Sequence, residues 1–72
     1  MTEQQELKKI NIDLIVAKKD FKPRFGNKND LNIIKEGEKL RKLKQKNKLK
    51  TSEEISIKKY IIFLLKKRND TN

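Results

Sequence analysis

Tyr60-Ile61-Ile62-Phe63-Leu64-Leu65 is the stretch that decides how this chain folds. Six consecutive helical residues, at about 100° each, sweep the whole circumference of a helix. A helix that is apolar all round has to be buried all round. The competing reading is a buried strand, since Tyr, Ile and Phe favour sheets. Charged turns on both sides of the run favour the helix: Lys58 and Lys59 precede it, and Lys66, Lys67 and Arg68 follow it. The last three also suit the negative end of a helix dipole. One narrow-striped helix from the same chain does not cover such a surface. Either the N-terminal segment wraps it as well, or a second subunit does.

Upstream of the run, Thr51 with Glu54 spells a capping box, and Ser56 offers a later cap for the same helix, which extends to about Arg68. Residues 48–55 then read as a connection. A preceding helix is expected from Asp30 to about Asn47, capped by Asn29 or Asp30, with Ile33, Gly37, Leu40 and Leu43 or Lys44 on one narrow apolar stripe. Gly37 on that stripe predicts the close approach of another element. Residues 20–29 form a break holding the only proline, Pro23, and one of two glycines, Gly26. Within it Phe21-Lys22-Pro23-Arg24-Phe25 alternates apolar and basic residues, a short strand pattern confined by its proline to an edge or an irregular ribbon. The first residues carry two patterns. Thr2 and Gln5 suit a capping box and Leu7, Ile10, Leu14 and Ala17 follow helical spacing, while Ile10, Ile12, Leu14 and Val16 alternate as in a strand. The good helix formers favour a helix.

Seventy-two residues, 33% of them apolar, allow one domain with a small core. Chains this small often rely on disulfides, metals or a partner chain. Cysteine and histidine are both absent, so no disulfide or zinc site is available, which leaves self-association as the remedy. No cofactor is expected. The usual general bases and soft nucleophiles are missing as well, and Glu36/Glu38 and Glu53/Glu54 are too close along a helix to face each other. The reading is a binding protein, not an enzyme, with no small-molecule substrate. The N-terminus is acidic and polar, unlike a signal peptide, and the longest apolar run is far short of the roughly 20 residues of a membrane span. A cytoplasmic, nucleoid-associated protein is expected, with no membrane partner.

The formal net charge is +10. Residues 1–20 sum to zero, residues 21–50 to +8 and residues 51–72 to +2, so the positive field belongs to the middle of the chain. Such an imbalance attracts polyanions. Lysine outnumbers arginine 17 to 3, which codon bias in an AT-rich genome explains, but that bias does not explain the excess over acids. Lys35, Lys39, Lys42 and Lys46 follow i, i+4, i+7, i+11 on one helix face, and no acid appears from Lys39 to Lys50. Like charges three and four apart repel by a few tenths of a kcal/mol each. A solvated face is the ordinary explanation of such a row; an external polyanion that neutralises it is the functional one. On a strand, Lys22 and Arg24 would point away from Phe21, Pro23 and Phe25, as base-edge readers on a ribbon do in the major groove; the ordinary alternative is a loop whose phenylalanines tuck under the core.

The order of ribbon, helix, short turn and helix resembles the ribbon-helix-helix DNA-binding proteins, the class of the Met and Arc repressors. Phe21–Phe25 corresponds to the ribbon, Asp30–Asn47 to the first helix and Ser56–Arg68 to the second. Ile55-Ser56-Ile57-Lys58-Lys59-Tyr60-Ile61 looks like the family's entry into its second helix. The likeness covers about two-thirds of the chain; it departs from the family at Pro23, which removes a ribbon donor, and at Glu54, where glycine is common.

The resemblance implies a mainly α, intertwined homodimer with a short N-terminal strand pair and an additional N-terminal segment. Residues 1–19 form the extension, 20–68 the ribbon-helix-helix-like domain and 69–72 a frayed tail. Lys22 and Arg24 would contact bases. The backbone N–H groups of Ser56, Ile57 and Lys58 would hold a phosphate at the helix N-terminus, with Lys35, Lys39, Lys42 and Lys46 on further phosphates. Ile57, Tyr60, Ile61, Leu64 and Leu65 would form the dimer core. The expected function is sequence-specific binding of duplex DNA, as a small transcriptional regulator of a plasmid, phage or AT-rich genome. The rivals are an RNA-binding or ribosome-associated protein and a phage-type inhibitor that acts by protein interaction. RNA readers stack bases on exposed aromatics, and the four aromatics here sit in apolar or ribbon patterns.

Overall fold

The computed structural model describes residues 2–70. They form three helices: α1, Glu3–Lys18; α2, Lys28–Gln45; and α3, Thr51–Asp70. α1 and α2 each pack against α3, giving a body with extents of 35 × 26 × 15 Å. No helix among the described residues is long and apolar enough to cross a membrane.

α1 settles the two-pattern N-terminus as a helix. Thr2 accepts a hydrogen bond on Oγ1 from the Gln5 amide at 3.2 Å, and Gln5 Oε1 accepts from the Thr2 amide at 3.3 Å. This is the capping box read from the sequence. Ile10 is buried beneath the helix, and Leu14 and Ala17 pack on the core. The other members of the alternating pattern, Ile12 and Val16, lie on the solvent side.

α2 starts earlier than expected. Asn27 is its N-cap, with Oδ1 accepting from the Asp30 amide at 3.1 Å. Its end is set by Asn47, the only non-glycine residue with a left-handed backbone (φ 54°) among the described residues. The Asn47 amide donates to Lys44 O at 3.2 Å and the Lys48 amide to Leu43 O at 3.0 Å. This pair of backward bonds closes a helix by the Schellman motif, where Asn tolerates the left-handed region better than most residues. α3 begins already at Thr51, so the connection shortens to residues 46–50. The Glu54 amide donates to Lys50 O at 2.9 Å, which puts the start of the helix ahead of Thr51 and well ahead of Ser56. Of the residues expected to form a frayed tail, 69–70 are the last of α3, and 71–72 lie outside the described ones.

α3 is the centre of the molecule. Ile57, Ile61, Leu64 and Leu65 are buried and join Ile33 of α2 in one cluster, flanked by Leu14 and Ala17 of α1, Phe21, and Leu40 and Leu43 of α2. Burying a side chain of this size is worth about 1.5–3 kcal/mol relative to exposure. The apolar sweep is therefore covered from two sides by the chain's own helices, and Ile61 is fully buried without a second subunit. Of the five residues expected in a dimer core, Ile57, Ile61, Leu64 and Leu65 are buried within this chain, and the fifth, Tyr60, is on the surface.

The ribbon is corrected. No strand occurs among the described residues, so there is no N-terminal strand pair and no ribbon-helix-helix fold. The alternation at Phe21–Phe25 has another cause. Phe21 turns inward beneath the Arg68 guanidinium, 5.2 Å from its ring centre, whereas Phe25 is 91% exposed. The two rings do not share a face. The Arg24 amide, a donor that a paired strand would need, is taken by Asp30 Oδ2 at 2.8 Å. Pro23 has no amide to give. Gly37 also departs from its reading. A Cβ built there meets nothing within 4 Å, so no close approach requires the glycine.

Candidate nucleic-acid interface

The lysine row runs along the outer side of α2 and ends on its C-cap, Lys46. Ile33 faces the core and Leu40 and Leu43 pack against it, so the residues about half a turn away face solvent. Lys35, Lys39, Lys42 and Lys46 are all exposed, and so are Arg41 and Lys44. At about 1.5 Å of rise per residue the four lysines span roughly 16 Å along the helix. Lys35, Lys39 and Lys42 border a depression of about 360 Å³ with Leu43 as its apolar wall and Glu38 as its one acid. The larger cavity, about 510 Å³ between α1 and α3, sets Asp13 and Asp20 beside Lys66 and Arg68. Its charges are balanced, so it has no comparable pull on an anion.

Arg24 and Arg68 converge on Asp30, whose side chain is completely buried. Arg24 donates from Nε to Oδ2 at 3.2 Å and from its backbone amide at 2.8 Å. Arg68 Nε lies 3.1 Å from Oδ1 and donates to Oδ2 at 3.3 Å, while its Nη2 donates to Lys22 O at 2.9 Å. Burial pushes the Asp30 pKa up, but the Arg24 amide and the two guanidinium groups outweigh it and hold the carboxyl below its ordinary value. Planar, always-charged guanidinium groups suit such a buried junction better than lysine does. Two of the three arginines in a lysine-rich chain are placed here.

The proposed base readers therefore sit differently from expectation. Lys22 and Arg24 are exposed side chains on the loop between α1 and α2, not neighbours on one face of a ribbon, and Arg24 is tied back to Asp30. Ser56, Ile57 and Lys58 lie in the second turn of α3, where backbone N–H groups bond within the helix and are not offered to a phosphate. Ile57 is buried, and Lys58 Nζ is held by Asn11 Oδ1 and by Glu54 Oε2 at 2.6 Å. Lys35, Lys39, Lys42 and Lys46 remain together on one surface.

Sequence reasoning missed the exposed aromatics. Phe25, Phe63 and Tyr60 are 91%, 59% and 44% exposed. For Tyr60 and Phe63 the signal was present, because a full circle of six apolar residues has more surface than two flanking helices cover. Comparison with family models, curated proteins and solved structures finds no match for the chain.

Proposed function

We propose that this protein binds nucleic acid through the phosphate backbone, with the outer face of α2 as its principal contact. The observation that carries this reading is the exposed row Lys35, Lys39, Lys42 and Lys46, on a segment with no acid between Lys39 and Lys50. A phosphate backbone is a regular polyanion, and each lysine that neutralises a phosphate releases a counterion. A role in gene regulation is one use of such a protein. Without a ribbon, however, the expectation of duplex DNA over RNA loses its basis, and backbone recognition is what the lysine face supports.

The test is binding at several salt concentrations by the full chain and by Lys39→Gln, Lys42→Gln and Lys46→Gln variants. Each substitution is expected to flatten the plot of log affinity against log salt by about 0.7–0.9. Variants that keep the parent's slope and affinity would remove α2 from the interface. A phage-type inhibitor that acts on an acidic protein is the second reading, and binding to such a partner with no binding to any nucleic acid would favour it.

A further inference from the structure

α3 turns a second kind of surface outward. Ser56, Tyr60, Phe63 and Lys67 follow i, i+4, i+7, i+11 along its solvent side, with Lys59 and Lys66 beside them, and all six are exposed. Between Glu54 and Asp70 the helix has five basic residues and no acid. Lys59 pairs with Glu6 of α1 at 2.7 Å. Aromatic side chains each bury about 150–250 Å² when enclosed, so a small core normally claims them first. Here three of the four stand at the surface, among lysines.

We propose that the Tyr60–Phe63 face of α3 stacks unpaired bases, so that the ligand is single-stranded nucleic acid. This rests on the reading that the protein binds nucleic acid. In a duplex the base faces are already stacked on each other, and exposed rings have nothing to meet. In a single strand every base has a free face, and aromatic platforms set among basic side chains engage bases and phosphates together. A second copy of this chain is a poorer occupant, because two such faces would bring their lysines against each other.

Tyr60 supplies the probe. It is the only tyrosine and there is no tryptophan, so intrinsic fluorescence reports this face alone. The full chain is titrated with an oligothymidylate of about 12 nucleotides, an abasic strand of equal length, and a blunt duplex. The expected results are quenching by the oligothymidylate, and little quenching by the abasic strand or the duplex. Phe63→Ala should weaken oligothymidylate binding by roughly 5- to 150-fold, the equivalent of one stacked base, and leave the abasic strand unaffected. Phe63→Tyr should retain affinity and Phe63→Leu should not, since shape and not apolarity is at issue. Equal affinity for thymidylate and abasic strands, with no quenching, overturns stacking but leaves phosphate binding intact. No binding of any of the three at low salt overturns phosphate binding itself. A fall in solution mass on Phe63→Ala, with unchanged nucleic-acid affinity, would assign the face to a second copy and sink the proposal.

Discussion

Two opposing effects meet on the carboxyl of Asp30: burial raises its pKa, and the Arg24 amide with two guanidinium groups lowers it further than burial raises it. A carboxyl held below its unfolded value contributes stability above about pH 3.9, and loses that contribution as pH falls through the lower folded value. Unfolding free energy of the parent should therefore decline on acidification below about pH 4. Asp30→Asn should show a shallower decline there. At neutral pH the same change removes the buried carboxylate on which Arg24 and Arg68, the latter only 13% exposed, converge. Breaking a pair this buried costs about 3–5 kcal/mol, to be read from urea melts. Gly37 gives a prediction of opposite sign. A helical glycine with open space around it loses only the entropy of its backbone, so Gly37→Ala should stabilise by about 0.5–1 kcal/mol. Thermal melts check this. A loss of stability there would mean that another surface closes on α2.

The elements differ in how far the sequence discloses them. α1 was legible through Thr2 and Gln5, because a capping box acts within four residues and needs no tertiary partner. The ribbon was misread because alternation at Phe21–Phe25 is a local pattern, whereas a strand exists only with a neighbour. What occupies the Arg24 amide is Asp30, six residues on, and nothing in the pentapeptide announces that. The lysine row was legible because helical spacing alone puts Lys35, Lys39, Lys42 and Lys46 on one side, and Ile33 decides that this side is outward. That row has a cost to α2. Neighbouring lysines repel by a few tenths of a kcal/mol per pair at low salt. Lys42→Gln, which stands four residues from Lys46 and three from Lys39, should therefore raise the midpoint of thermal unfolding at low salt while it weakens binding. At about 1 M salt, where the screening length is about 3 Å, the stability gain should vanish. Equal stabilisation at both salts would show that helix propensity, not repulsion, is responsible.

For the whole molecule, core and charge lead to different solution behaviour. Ile61 is fully enclosed by α1 and α2 of its own chain, and Ile61→Ala should cost about 2–5 kcal/mol. Because α1 and α2 alone suffice for that enclosure, the loss should be the same at low and high protein concentration. A cost that grows on dilution would mean that the core is completed between chains. The charge acts over a longer range. A net +10 on a body 35 Å long repels itself, and added salt screens that repulsion before it affects the core. The free protein should thus become more stable as salt rises from about 50 to 200 mM. Over the same interval nucleic-acid affinity should fall steeply, since phosphate contacts lose counterion-release free energy as salt increases. The two trends have one cause, a positive field that only a polyanion or an electrolyte relieves. Melting the free protein and its complex across one salt series measures both: the gap in midpoint between them should narrow from each side as salt rises. If that gap is independent of salt, the complex is held by something other than the lysine field, and α2 is not its main contact.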